Sequence, residues 1–154
     1  MTPQQLEAFL YTQIPIAKAL KVKVLRADES SATVRAPLEP NRNHMGTAFG
    51  GSLAALLILS GYTWLYQIMA MRGHHVHVIL QKTETEYLHP VEDEIEASAA
   101  APDSQTVERF LKTFAAKGRA RISISAQIQN AEGKTCCTLR GDFIAQLSDE
   151  SRFS

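Results

Sequence analysis

The stretch that decides the fold is Asn43-His44-Met45-Gly46-Thr47-Ala48-Phe49-Gly50-Gly51 (NHMGTAFGG). It runs without a break into Ser52–Met71, SLAALLILSGYTWLYQIMAM, which carries no charged residue. The pattern predicts a loop over 39–49 and a helix over 50–72 that ends at Gly73. A helix apolar on every face is either a membrane span or the buried centre of a domain. About 20 apolar residues cross a bilayer, so length permits both. Ser60, Gly61, Tyr62, Thr63, Tyr66 and Gln67 interrupt the segment, and its flanks show no marked Lys/Arg asymmetry. Strands with soluble-type alternation follow at once. The expectation is a buried core helix and no membrane span.

Working outward, the 154 residues suit one domain over 1–154, long enough for a proper core. Hydrophobic residues make up 45% and charged residues 21%, an ordinary globular balance. The 16 Lys and Arg equal the 16 Asp and Glu, so the chain lacks the basic excess that a general nucleic-acid binder needs. Cys136 and Cys137 are adjacent, and neighbours in a strand point to opposite faces, so a bridge between them is strained. That fits a reducing compartment. MTPQQLEAF shows no basic region leading into an apolar run, so no signal peptide is expected and the cytoplasm is the expected location.

Before the glycine loop, Thr2-Pro3 opens a helix with a capping hydroxyl and proline at the first helical position. Leu6, Phe9 and Leu10 form its apolar stripe, and Pro15 ends or redirects it. Residues 21–27 and 32–38 read as a hairpin around Asp28-Glu29-Ser30-Ser31. After the long helix, 75–87 and 94–101 read as strands. Asp103 caps a helix striped by Val107, Phe110, Leu111 and Phe114, which ends at Gly118. Residues 119–129 alternate cleanly, and 134–147 follow after the turn at Asn130-Ala131-Glu132-Gly133. This order predicts an α+β domain with an antiparallel sheet packed on one buried helix.

Paired glycines at a helix start allow close backbone approach. The first turn of a helix leaves N–H donors unpaired and carries partial positive charge, so it can hold a carbonyl oxygen that gains negative charge. The same glycines also permit tight packing of the helix on a sheet.

Two motifs, Asn43-x-x-Gly46-Thr47-x-x-Gly50-Gly51 entering the long helix and Tyr87-Leu88-His89-Pro90 ending the next strand, resemble the hotdog fold of the thioesterase superfamily. The element order resembles it over about 14–147. The resemblance implies a sheet wrapped around the 50–72 helix and a homodimer, or a dimer of dimers, with sites at the subunit interface. It also implies an acyl thioester of CoA or acyl carrier protein (ACP) as ligand. The backbone N–H of Gly50 or Gly51 would polarise the thioester carbonyl, with Asn43 close by. No cofactor is expected beyond the phosphopantetheine that the substrate itself carries.

The chain departs from the hydrolase pattern in two places. Phe49 stands where many such hydrolases have histidine, and Ile58, flanked by Leu57 and Leu59, stands where they carry a catalytic Asp or Glu. Hydrolysis needs an activated water or a nucleophile. Glu84 and Glu86 on the following strand, or His44 and His89, are the candidate bases. The alternative is a reaction that needs no base. Decarboxylating a malonyl thioester requires donors at the enolate oxygen, for which the Gly50 and Gly51 amides and the Asn43 side-chain amide are candidates, and an apolar pocket, for which Phe49, Leu57 and Ile58 are candidate walls. A branch of hotdog proteins with this loop resembles malonyl-ACP decarboxylases, which feed acetyl-ACP to fatty-acid initiation. That reaction is the preferred expectation. The alternatives are an acyl-CoA or acyl-ACP thioesterase and a non-catalytic acyl-thioester-binding protein. Lys117, Arg119 and Arg121 are candidates for contacting CoA phosphates or an acidic carrier protein. His74-His75-x-His77 lacks an evident third ligand, so no metal is expected.

Overall fold

Thr2 caps the first helix, α1 (Pro3–Gln13), by accepting the Gln5 amide at 3.2 Å, while the Gln5 side chain accepts the Thr2 amide at 2.8 Å. The reciprocal pair satisfies two donors that a helix start otherwise leaves bare. The structure, a computed structural model, describes residues 1–149. The domain expected over 1–154 extends past these, and residues 150–154 lie outside the described residues. Pro15 redirects the chain into a short second helix, α2 (Pro15–Ala19). The hairpin follows as β1 (Lys23–Ala27) and β2 (Ser31–Ala36), the latter ending just before Pro37. Next come α3 (Gly50–Ala70), β3 (Val76–Tyr87), β4 (Ile95–Ala100), α4 (Ser104–Lys117), β5 (Arg119–Gln129) and β6 (Thr135–Leu147).

The six strands form one sheet in the order β1-β2-β4-β5-β6-β3, antiparallel at every pairing. α3 contacts all six. Leu56, Leu57, Trp64, Leu65 and Met69 are fully buried along it. The polar residues that interrupt this helix are accommodated inside the domain. The Ser60 hydroxyl donates to Leu57 O at 2.7 Å. Trp64 Nε1 donates to Glu29 O at 3.3 Å, and Gln67 Nε2 donates to Met1 O at 2.8 Å and Ala27 O at 3.3 Å. The apolar length of α3 is therefore matched to the sheet around it, and the helix forms the core of the domain rather than a membrane span.

Element limits fall within about two residues of expectation. α3 ends at Ala70 because the chain turns through Gly73, at φ 76°, and His74 N–H reaches back to Met69 O at 3.0 Å. β3 does not bury one clean face, since nearly all of its residues are exposed. It is an edge strand, and its far side carries no further strand. β5 buries Ala120, Ile122, Ile124, Ala126 and Ile128 in strict alternation, as its sequence predicts.

The helix and sheet meet closely at Gly61. A Cβ there would lie 2.8 Å from the ring of Phe143, which is itself fully buried. Gly61→Ala forces that ring or the helix to move, with nowhere open to go. We expect a loss of about 1–3 kcal/mol, typical of overpacking, read as a lower denaturant midpoint with an unchanged slope. Equal or higher stability would show that the contact relaxes freely.

Burial pushes the Cys137 thiol up to about 11 from 9.0 and the Tyr62 hydroxyl up to about 12 from 10.0. Both groups are neutral when protonated, so the folded state holds these protons more tightly than the unfolded chain. Their contribution is complete below the ordinary thiol range and is lost as pH rises through about 11 and then about 12. Unfolding free energy should therefore fall above pH 9.0. A curve flat to alkaline pH would contradict it.

Candidate active site

α3 begins bare. Its N-cap is Phe49, with no side-chain cap, and the first helical bond runs from Leu53 N–H to Phe49 O at 3.1 Å. The N–H groups of Gly50, Gly51 and Ser52 have no partner among the described residues. α3 carries no acidic residue in its first turn, so the positive end of the helix dipole is uncompensated there.

Two aromatic rings flank this start. The Phe49 ring folds over Gly51 so closely that a Cβ there would collide with Phe49 Cε1. The Tyr87 ring lies 3.4 Å from where a Gly50 Cβ would be. Both rings remain more than half exposed, at 57% and 56%, so they line an open mouth rather than fill the core. Met45 and Leu88 add further exposed apolar surface from the same two chain segments.

The loop before the helix is closed on itself by Asn43. Its backbone N–H donates to Thr47 O at 2.7 Å. Its Oδ1 accepts the amides of Met45 at 2.9 Å and Thr47 at 3.2 Å, and its Nδ2 donates to the Thr47 hydroxyl at 2.9 Å. The side chain thus shapes the loop, leaving one Nδ2–H without a described partner. Asn41, not singled out by sequence, anchors the loop from below. It is 1% exposed, its Nδ2 donates to Leu20 O at 2.9 Å and Pro37 O at 2.8 Å, and its carbonyl accepts the Phe49 amide at 2.7 Å. A long-range role of this kind leaves no local signal beyond a polar residue in a loop.

The second motif meets the first in space. Tyr87 Oη donates to Gly50 O at 3.2 Å, and the Ala48 amide donates to Val91 O at 2.8 Å. His89, whose amide donates to Cys136 O at 3.1 Å, follows Tyr87 at this end of the sheet, and His44 lies in the closed loop; both are exposed.

The remaining candidates are not brought here. Glu84 and Glu86 share a groove with Ser98, Ser125, Thr138 and Arg140 on the outer face of the sheet, whereas Tyr87, next in sequence, turns to the helix. Within one subunit they face away from this helix start. Leu57 is fully buried in the core and lines no open surface, while Ile58 is half-buried. Arg119, Arg121 and Lys117 are exposed, with Arg119 Nη1 donating to Gln146 Oε1 at 2.6 Å and Arg121 Nη1 to Gln81 Oε1 at 3.3 Å. They stand where β5 begins, and Tyr87 stands near where it ends, roughly 25 Å of strand away. Within one subunit this basic cluster does not reach the site. Among the described residues no group of three or more His, Cys, Asp or Glu is placed to hold a metal.

The architecture and the bare helix start define a hotdog domain of the thioesterase type. The chain belongs to the family described as "Putative thioesterase (yiiD_Cterm)", which it matches over residues 3–147. Among solved structures it is similar to the protein OLEI01261 from Chlorobaculum tepidum TLS, of unknown function, with 27% identity over 95% of this chain and 94% of that one and a TM-score of 0.88. It is also similar in fold to a "putative thioesterase" from Shewanella oneidensis, at 22% identity over 94% and 96% of the two chains and a TM-score of 0.81. The thioesterase HI1161 from Haemophilus influenzae shares the fold at 16% identity over 99% and 95%, with a TM-score of 0.71. No protein of curated function matches the chain.

Asn43→Ala removes three side-chain hydrogen bonds from the loop and should lower stability by about 1–3 kcal/mol, given partial solvent exposure. Asn43→Asp keeps the two bonds accepted by the oxygen and should cost less in the same chemical denaturation. Equal losses would show that the two Oδ1 bonds are not what closes the loop.

Proposed function

We propose that this protein is an acyl-thioester enzyme that decarboxylates a malonyl thioester, with malonyl-ACP as substrate and acetyl-ACP as product. The class follows from the family. What supports the particular reaction is one feature of the site. It offers three uncommitted N–H donors at the positive end of a helix that carries no Asp, Glu or His, and the nearest strand carboxylates face the other way.

In this reading the thioester oxygen accepts from the Gly50 and Gly51 amides. The bond between C2 and the carboxylate carbon breaks, CO2 leaves, and its electron pair becomes the enolate of the thioester. The helix end stabilises that charge as it forms. Phe49 and Ile58 present apolar surface that disfavours the free carboxylate and so favours its loss. Water then protonates C2, giving the acetyl thioester, and the hydroxide left behind is taken up by CO2 as bicarbonate. The exposed edge of β3, with Ile79, Leu80, Tyr87 and Leu88 uncovered, supports a homodimer that pairs through this region, and a dimer of dimers would then form through other faces. The two buried free cysteines fit a cytoplasmic location.

A hydrolytic reading is favoured by His44 and His89, the two candidate bases carried by the segments that meet at this site. The products separate the readings. Purified protein is incubated with malonyl-ACP, malonyl-CoA and a series of acyl thioesters, and free thiol and acetyl thioester are measured separately. Acetyl thioester without free thiol is expected. Free thiol would establish hydrolysis instead, and binding without either product would leave a non-catalytic acyl-binding protein. Asn43→Asp places a negative charge in the loop beside the developing enolate and should reduce turnover by at least about 100-fold, the scale of losing oxyanion stabilisation. An unaffected rate would remove Asn43 from the reacting centre.

A further inference from the structure

We infer that Tyr87 is a positioning residue for the oxyanion site: its hydroxyl grips the carbonyl of the peptide whose N–H serves as the donor. The inference rests on the reading of the helix start as an oxyanion site and goes beyond it by assigning a side chain to its control. The carbonyl of Gly50 and the N–H of Gly51 belong to one peptide group. They point in opposite directions along the helix axis, the oxygen into the helix and the N–H out of its end. Tyr87 Oη donates to that oxygen at 3.2 Å. A hydroxyl therefore holds the back of the peptide whose front faces the site.

Two physical consequences follow. The first is orientation. A peptide between two glycines has the widest conformational freedom of any in the chain. Here it is pinned by the Tyr87 hydroxyl on its oxygen, by the Tyr87 ring packed 3.4 Å from the Gly50 Cβ direction, and by the Phe49 ring over Gly51. The second is polarisation. A carbonyl that accepts an additional hydrogen bond draws electron density from its amide nitrogen, so the Gly51 N–H becomes a stronger donor. Tyr87 is fixed in turn by β3, where it pairs with Cys137 of β6, and the chain beyond it is tied to the glycine loop through Val91 O and the Ala48 amide at 2.8 Å. The strand thus delivers the hydroxyl to one place on the helix start.

Tyr87→Phe tests this because it keeps the ring and removes only the hydroxyl. In protein labelled with 15N-glycine, the Gly51 amide proton should move upfield in the variant, with the glycines remote from α3 unmoved. Turnover of whichever thioester the wild-type protein converts should fall about tenfold in kcat, with KM within twofold and the thermal midpoint within about a degree. A purely structural role would instead lower the midpoint and leave kcat per folded molecule intact, overturning the inference. So would an unmoved Gly51 signal. If the wild-type protein converts no thioester, the proposed function fails on that result. The Gly51 shift, with and without acetyl-CoA as probe, then decides the inference separately: a shift in Tyr87→Phe together with a smaller acetyl-CoA response at Gly51 sustains it, and no change in either rejects it.

Discussion

A helix that is apolar on every side cannot rest on a flat sheet. It must be enclosed, and the whole architecture answers that constraint. α3 touches all six strands, and α1 covers part of what the sheet leaves, with Phe9 stacked on Tyr66 at a centroid distance of 4.1 Å. Close enclosure also demands that something give way where helix and sheet meet closely. Gly61 gives way to Phe143. The internal partners of Ser60, Trp64 and Gln67 follow from the same constraint, because an enclosed polar group without a partner is costly.

Enclosure fixes where the ends of the helix emerge. The N-terminus comes out where β3 ends, beside the loop that Asn43 closes and Asn41 anchors. This is the only part of α3 where backbone donors are uncommitted among the described residues, and it is the part that the Tyr87 and Phe49 rings leave open to a ligand. Fold and site are therefore one problem. The segment that builds the core also supplies, at its tip, the positive end that a thioester oxygen can use.

Most elements were legible because their signals are local. The alternation of β5, the capping residues Thr2 and Asp103, and the left-handed Gly118 at φ 67° all act within a few residues of themselves. The glycine loop was legible for the same reason. Long-range placement was not. Tyr87 was visible only as part of a strand-ending motif, and its bond to Gly50 spans 37 positions. Glu84 and Glu86 are candidate bases because they lie on the strand that follows the helix, and strand parity sets them on the face opposite Tyr87. The basic cluster at Lys117, Arg119 and Arg121 lies a strand's length from the helix start of its own subunit, a separation that only the sheet register reveals. The exposure of β3 was hidden because its composition resembles a half-buried strand, while its position at the sheet edge is set by topology.

The lack of a carboxylate in α3 has an electrostatic meaning as well as a chemical one. Position 58 lies eight residues from Gly50, or about 12 Å along a helix. A negative charge there would repel a charge forming at the helix start by about 1.4 kcal/mol at an effective dielectric of about 20. That is tenfold in rate for a reaction whose barrier is dominated by enolate charge. A hydrolase accepts this penalty because its carboxylate activates water. A decarboxylase has no such need, since its leaving group is CO2 and its electron pair is already in place. In the decarboxylation proposed above, Ile58 would serve twice: it places no opposing charge behind the helix start, and its half-buried side chain is apolar. The same uncharged helix that makes the core possible thereby leaves the dipole at its tip undiminished.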